Sequence, residues 1–156
     1  WHRRASGDDS GAMVLDEFVP LLADHGLDTS RVAFLGWSMG GYGAMLLGSR
    51  LGAARTAAIC AVSPALWTSA GAAAPGAFDG PDDYAANSVW GLAPLDDIPL
   101  RIDCGDDDPF SAATRQFIAQ LPNPPAGGFT PGGHNAAYWS SQLSPELVWA
   151  APLLTA

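Results

Sequence analysis

Lysine is absent from this 156-residue sequence, and basic side chains of any kind are few. Seven arginines stand against sixteen acidic residues, which leaves a formal net charge of −9. A surface this acidic repels phosphate backbones and anionic lipid headgroups, so we expect no nucleic-acid partner. A neutral small-molecule substrate meets no such repulsion.

Cysteine and long apolar runs are also scarce. Two cysteines, Cys60 and Cys104, cannot build a disulfide scaffold, and neither lies in a CxxC or Cys/His pattern typical of zinc sites. The longest apolar run, 56–67, is interrupted by Pro64 and is shorter than the roughly 20 residues of a membrane-spanning helix. We therefore expect no metal, no cofactor and no membrane span.

The composition that remains is that of a folded chain. Hydrophobic residues make up 48% of the sequence and charged residues only 15%, which excludes a disordered, solvating segment. The length allows one domain, so we predict that 1–156 is a single domain or the C-terminal portion of one. The sequence opens on Trp1-His2-Arg3-Arg4 with no apolar signal region, and this leaves its localisation open.

Apolar residues along the chain alternate between strand-like and helix-like patterns. The patterns predict short buried strands at 31–36 and 56–62 and a third strand at 100–104. Residues 128–130, within a segment rich in proline and glycine, are a candidate for a short fourth strand. They predict helices at 12–24, at 38–50, at 109–120, and from 135 with a break at Pro145. The first helix is expected to bend at Pro20, and its apolar face consists of Val14, Phe18, Leu21 and Leu22. Residues 68–83 are predicted to form an irregular segment without helix or strand. This βαβ rhythm indicates an α/β layered fold with a parallel sheet, in which Cys60 and Cys104 lie buried on neighbouring strands.

The first chemical motif is the GxSxG segment Gly36-Trp37-Ser38-Met39-Gly40, between a predicted strand and a predicted helix. A nucleophile elbow holds its serine in a strained conformation on a tight turn, and the turn needs small residues on both sides. Gly36, Gly40, Gly41 and Gly43 supply that room, although four glycines are a poor start for a helix. The alternative is a glycine-rich helix start with Ser38 as its N-cap.

A serine nucleophile needs a base, and the sequence has three histidines. His2 lies in the terminal loop, and His25 stands next to a glycine at a predicted helix end, where a positive charge is favourable. His134 follows the last predicted strand. Chain order in α/β-hydrolases is serine, acid, histidine, and His134 is the histidine that fits it. The alternative is an ordinary surface-loop histidine.

The acid is expected just beyond a strand end, on the same sheet edge as Ser38. The strand at 100–104 leads into Asp106-Asp107-Asp108-Pro109, and Asp108 is our candidate for orienting the histidine. Asp before Pro is also a common helix start, so a capping role is the alternative. Asp106 and Asp107 stay open as substitutes.

Five segments together resemble a known family: 36–44 at the elbow, 16–22 before it, 63–67 after the next strand, 104–110 at the acid loop, and 132–139 at the histidine loop. This family is the group of α/β-hydrolase esterases that includes antigen 85-like mycolyltransferases, esterase D-like enzymes and related feruloyl esterases. The resemblance implies an α/β-hydrolase-like three-layer fold with a mostly parallel sheet. It places the acid three residues after the glycine of its loop, which maps onto Asp108.

The resemblance implies a serine hydrolase that cleaves a carboxylic ester through an acyl-enzyme on Ser38. His134 is then the general base, Asp108 the orienting acid, and the backbone N–H of Met39 an oxyanion donor. Trp37, Trp67 and Trp139 are candidates for an apolar substrate pocket, with plain packing as the alternative. Two further alternatives are an acyltransferase of the antigen 85 type and a catalytically impaired fragment or subunit that serves as a non-enzymatic module.

The sequence departs from this family in one large respect. Only 37 residues precede Ser38, and they contain no convincing strand, so the chain looks like the C-terminal half of the fold, lacking its N-terminal strands. The missing half normally supplies the second oxyanion donor, and its absence leaves an unpaired sheet edge. A truncated chain, a homo-oligomer or companion chain that supplies the strands, and a donor from residues 1–10 all stay open. The family often acts outside the cytoplasm.

Overall fold

Four parallel strands form the centre of the molecule. The computed structural model describes residues 1–155. The strands are β1 (Val32–Trp37), β2 (Thr56–Val62), β3 (Leu100–Gly105) and β4 (Ala126–Thr130), in the sheet order β1-β2-β3-β4. All three pairings are parallel, so the carboxyl ends of the strands lie along one edge. The three predicted strands and the candidate fourth strand are confirmed, and β4 begins two residues earlier than expected.

Helices occupy both faces of this sheet. They are α1 (Ser10–Ala12) and α2 (Val19–Asp24), joined by a π-helical segment (Met13–Phe18), then α3 (Met39–Leu51), α4 (Pro81–Asn87), α5 (Ser111–Ile118) and α6 (Ala136–Ala150). Short 3₁₀ turns lie at Ala70–Ala72, Ala93–Asp97 and Ala151–Leu154. None of the helices in residues 1–155 is both long and apolar enough to cross a bilayer.

The side chains of β2 divide the core between the two faces. Ile59 belongs to a cluster with Met45 of α3 and Phe117 of α5, whereas Cys60 packs with Ala150 of α6. Successive strand residues point to opposite faces, so one buried strand serves both helix layers. This confirms the predicted three-layer α/β architecture.

The two cysteines lie on neighbouring strands, β2 and β3, as predicted. Both are buried free thiols. Burial raises the pKa of the Cys104 thiol to about 11 and raises that of Cys60 as well.

The predicted apolar face of the first helix is only partly buried, which corrects the sequence prediction. Phe18 and Leu21 are each 49% exposed, and Val19 is buried instead. The Val19 N–H donates to the Val14 carbonyl, five residues back, as in a π turn. Because a π turn holds one residue more than an α turn, it rotates the side chains that follow, and the 3.6-residue period no longer predicts the buried face.

The segment at 68–83 is more regular than predicted, since α4 begins inside it at Pro81. Pro81 stands in the first turn with Asp82 and Asp83, a favourable start for a helix that the sequence analysis missed. Pro145 does not break the last helix either. It removes one N–H donor, but Glu146 and Ala150 of the same helix are buried on the sheet, and this packing keeps the helix continuous.

The two edges of the described sheet differ. At β4, the guanidinium of Arg115 lies 3.6 Å above the ring of Phe129 and covers it. At β1, which pairs with β2 alone, the strand ends in Trp37, 49% exposed, followed at the start of α3 by Met39, 64% exposed. The β1 edge therefore ends in the larger exposed apolar side chains.

Candidate active site

Ser38 lies at the turn between β1 and α3 in the backbone conformation of a nucleophile elbow. Its φ is 55° and its ψ −122°, a left-handed region that non-glycine residues rarely enter. The Ser38 N–H donates to the carbonyl of Val62 at 3.0 Å, and the Ser38 carbonyl accepts from the N–H of Ala65 at 3.0 Å. The side chain makes no capping hydrogen bond to α3, so the N-cap alternative fails.

The four glycines around Ser38 differ in their structural roles. A Cβ on Gly36 would collide with the backbone of Gly40, and one on Gly41 would lie 3.2 Å from the Cα of Pro64. These two supply room for the elbow, as predicted. The prediction fails for Gly40, where a Cβ would meet nothing within 4 Å, and for Gly43, whose open space is filled by the ring of Trp1.

The structure brings Ser38, His134 and Asp108 together from three loops at the carboxyl ends of the strands. His134 Nε2 lies 2.9 Å from Ser38 Oγ, and His134 Nδ1 lies 2.8 Å from Asp108 Oδ2. The Asp108 side chain is fully buried and that of His134 is 22% exposed. A neutral imidazole with its proton on Nδ1 donates to the carboxylate and presents Nε2 as acceptor to the serine hydroxyl.

Backbone contacts between the acid loop and the histidine loop support this arrangement. The Asp107 N–H donates to the Gly132 carbonyl at 2.9 Å, and a Cβ on Gly105 would collide with that same carbonyl. Asp108 Oδ1 accepts from the Phe110 N–H at 2.8 Å while Oδ2 faces His134. The carboxylate therefore orders its own loop and contacts the histidine at once.

The other candidate acids and histidines lie elsewhere. Asp106 and Asp107 are exposed, and Asp106 pairs with Arg115 at 2.8 Å. His2 is buried, with Nε2 2.9 Å from Asp83 Oδ2, and His25 is exposed at the end of α2.

The backbone N–H of Met39 is at the positive end of the α3 dipole, next to the serine hydroxyl. It belongs to the first residue of the helix, where an N–H has no partner within the helix, and within residues 1–155 no acceptor for it is described. It is therefore free to bind an oxygen at this position. No three His, Cys, Asp or Glu side chains in that same range come together as a possible metal site.

An open cleft of about 450 Å³ lies beside Ser38. Its lining is uncharged and consists of Leu35, Gly36, Trp37, Ser38, Met39, Gly40 and Trp139. The rings of Trp37 and Trp139 stack with centroids 6.2 Å apart, and the ring of Trp139 meets that of His134 edge-on at 5.0 Å. These two tryptophans form an apolar wall next to the serine.

Trp67 does not line this cleft. Its ring packs edge-on against Phe110 at 5.8 Å, and Phe110 lies 5.3 Å from the His134 ring. Phe110 had no predicted role, although the residue lies in the acid-loop segment. Trp1, whose indole contacts the elbow, had no predicted role either. The glycine at position 43, which no backbone turn requires, was the one feature of the sequence that indicated a neighbouring side chain there.

No protein-family model matches the chain, and no curated protein matches it significantly. Solved structures do resemble it. A ferulic acid esterase superposes with a TM-score of 0.70 at 24% identity, over 95% of this chain and 62% of its own length. An S-formylglutathione hydrolase from Staphylococcus aureus gives a TM-score of 0.74 at 19% identity, over 96% and 66%. A fluorophosphonate-binding serine hydrolase from the same species gives 0.72 at 20% identity, over 96% and 66%.

These likenesses show that the chain has the α/β-hydrolase fold expected from its sequence. The chain spans less than two thirds of the length of each of these three structures.

Proposed function

We propose that this chain is a serine esterase of the α/β-hydrolase type. Ser38 Oγ attacks the ester carbonyl and passes its proton to His134 Nε2, and the charge on the carbonyl oxygen is stabilised by the Met39 N–H. Asp108 holds the imidazole in the required tautomer and stabilises the imidazolium. His134 then protonates the departing alcohol, which leaves an acyl-enzyme.

Water completes the cycle at the same residues. His134 takes a proton from the water, the hydroxide adds to the acyl carbonyl, and collapse of the intermediate returns the proton to Ser38 and releases the carboxylic acid. The observation that carries the proposal is the relay of 2.9 and 2.8 Å from Ser38 through His134 to a buried Asp108. The free N–H of Met39 beside it is consistent with the same chemistry.

The proposed substrate is a neutral carboxylic ester with an apolar or aromatic group. The cleft is uncharged and bordered by the Trp37–Trp139 stack, which suits such a group better than a polar one. The exposed carboxylates of Asp106 and Asp107, on the same loop as Asp108, disfavour anionic substrates. Among the structural neighbours, the ferulic acid esterase is named for an aromatic acid.

Transfer of the acyl group to a sugar or alcohol, as in the antigen 85-like enzymes that the sequence resembles, would use the same residues. Product analysis in the presence of an added alcohol separates transfer from hydrolysis.

We further propose that the open β1 edge pairs with additional strands in the active form, supplied by a second copy or a companion chain, because Trp37 and Met39 leave an apolar surface there. Light scattering of the purified chain measures whether it self-associates.

The proposal is tested by fluorophosphonate labelling near pH 8 followed by peptide mass mapping. We expect one adduct on Ser38, which is lost in His134→Ala and kept in the matched control His25→Ala, since His25 is exposed and outside the relay. Absence of an adduct on a folded chain would contradict the proposal and leave the impaired-module alternative.

A further inference from the structure

The oxyanion donor of the proposed mechanism belongs to a residue that its own side chain does not hold in place. Met39 is 64% exposed, so little packing restrains it. It is also the first residue of α3, and helix ends fray more easily than helix centres. A donor works only if it stays about 2.7–3.1 Å from the developing oxyanion. The carbonyl of the peptide that carries this N–H accepts from the N–H groups of Ala65 and Tyr42, at 3.0 and 3.2 Å. A further contact can restrain the donor through the next peptide, Met39–Gly40.

Trp1 makes such a contact. Its indole Nε1–H donates to the Met39 carbonyl at 2.7 Å, across a sequence separation of 38 residues. The ring occupies the space that a side chain at position 43 would fill, one turn along α3. The indole therefore packs on the first turn of α3 and hydrogen-bonds to its first carbonyl.

The position of Trp1 is itself well defined. Arg50, at the other end of α3, donates from Nη1 to the Trp1 carbonyl at 3.3 Å. A Cβ on Gly11 would lie 2.5 Å from that carbonyl, so a glycine is required there too. Val14 and Leu47 line the apolar cavity on which the indole borders. Glycines at two separate positions thus leave room for this one residue.

We infer that Trp1 is a positioning residue for the oxyanion donor, an inference that rests on the proposed esterase function. The indole hydrogen bond restrains the Met39–Gly40 peptide, and with it the turn that carries the Met39 N–H. The interaction acts on the transition state, where the oxygen is charged, more than on the bound ester. Its loss therefore lowers kcat and leaves KM nearly unchanged.

The main test is Trp1→Phe, which keeps an aromatic ring on Gly43 and removes the N–H. We expect kcat for a neutral aryl ester to fall about tenfold at unchanged KM, less than the loss of a whole oxyanion donor. The matched control is Trp90→Phe, which removes a similar indole bond, to the Trp67 carbonyl at 2.8 Å. It is expected to lower the melting temperature by a similar amount and to keep kcat.

Gly43→Ala is the second variant, because the added methyl group collides with the indole ring, Nε1 included, and displaces it from the Met39 carbonyl while leaving residue 1 a tryptophan. It is expected to reproduce the kcat loss, and the double variant with Trp1→Phe is expected to lose little more, since both act through one contact. A kcat for Trp1→Phe within twofold of the Trp90→Phe value would overturn the inference.

A readout independent of activity separates this inference from the proposed function. The ¹⁵N order parameter of the Met39 amide is expected to drop in Trp1→Phe and to stay unchanged in Trp90→Phe. If the wild-type chain hydrolyses no ester but this drop is observed, the esterase proposal fails and the positioning contact stands. An unchanged Met39 amide overturns the positioning role whatever the activity.

Discussion

Asp108 and Glu146 each carry a buried carboxyl group, and the surroundings of these two groups differ. The Asp108 side chain has both oxygens hydrogen-bonded, one to His134 and one to the Phe110 N–H. Glu146, on α6, is also fully buried, but neither of its oxygens has a hydrogen-bond partner in residues 1–155. Arg101 Nε lies 3.4 Å from Glu146 Oε2 and closer, at 2.7 Å, to Asp103.

The difference shows that burial alone does not mark a functional acid. Burial raises the pKa of Glu146 to about 8, with the neighbouring Asp103 carboxylate acting in the same direction. Glu146 lies inside a helix on the face of the sheet, where no substrate reaches it. Asp108 lies on a loop at the carboxyl ends of the strands, where parallel α/β sheets place their sites.

The largest expected effect comes from Asp108→Asn. The amide places a donor against Nδ1 and favours the wrong imidazole tautomer, so we expect kcat/KM for ester hydrolysis to fall about 10³- to 10⁴-fold. The matched control is Asp107→Asn, one residue earlier and exposed, which is expected to stay within twofold of wild type. Equal losses in both variants would remove the distinction between these two acids.

Glu146→Gln probes the other carboxyl group. A folded pKa of about 8 means that the native state keeps a proton which the unfolded chain loses near pH 4.5. The contribution of Glu146 to stability should therefore be full below pH 4.5 and fall by about 4 kcal/mol as the pH rises to 8. In Glu146→Gln this fall should be absent, as measured by urea denaturation across that range, while ester hydrolysis is retained. Parallel pH profiles for the two proteins would show that Glu146 is ionised in the native state.

Gly105→Ala tests whether the contact of Asp108 with His134 depends on the packing of the acid loop against the histidine loop. The added Cβ collides with the Gly132 carbonyl, so the histidine loop has to move. We expect a loss of about 2 kcal/mol in unfolding free energy, together with a lower labelling rate at Ser38. Gly71→Ala, where a Cβ meets nothing within 4 Å, is the control. Full labelling of Gly105→Ala would mean that the His134–Asp108 contact tolerates this displacement.

The smallest effect is expected for Asp106→Asn, which breaks an exposed ion pair in the same acid loop. The Asp106 and Arg115 side chains are 46% and 53% exposed, so solvent and salt screen their attraction. We expect the melting temperature and the labelling rate at Ser38 to stay close to wild type. A large loss of labelling would show that the loop, and not Asp108 alone, determines the position of His134.

Much of the fold was predictable because its signals are local. The run at β2 is almost wholly apolar, since this strand is buried on both faces, and such a run marks a strand without any knowledge of its neighbours. At β3 the apolar residues alternate with Arg101 and Asp103. The start of α4 carried a similar local signal, Pro81 with two acids, and could have been predicted. The π segment before Val19 could not, because the extra residue in a turn leaves no mark on the apolar spacing.

The sequence by itself determined the candidate residue types and their order along the chain: a serine between glycines, an acid after a strand, and a histidine after the last strand. The sequence also favoured Asp108 among the three consecutive aspartates, and its contact with His134 is a feature of the tertiary structure. The tertiary structure alone decided that Trp67 packs against Phe110 and not in the cleft, and that Gly43 makes room for Trp1. Each of these depends on contacts between segments far apart in the chain. Spacing along the sequence carries no information about such contacts, because the direction in which each loop leaves the sheet is set by packing.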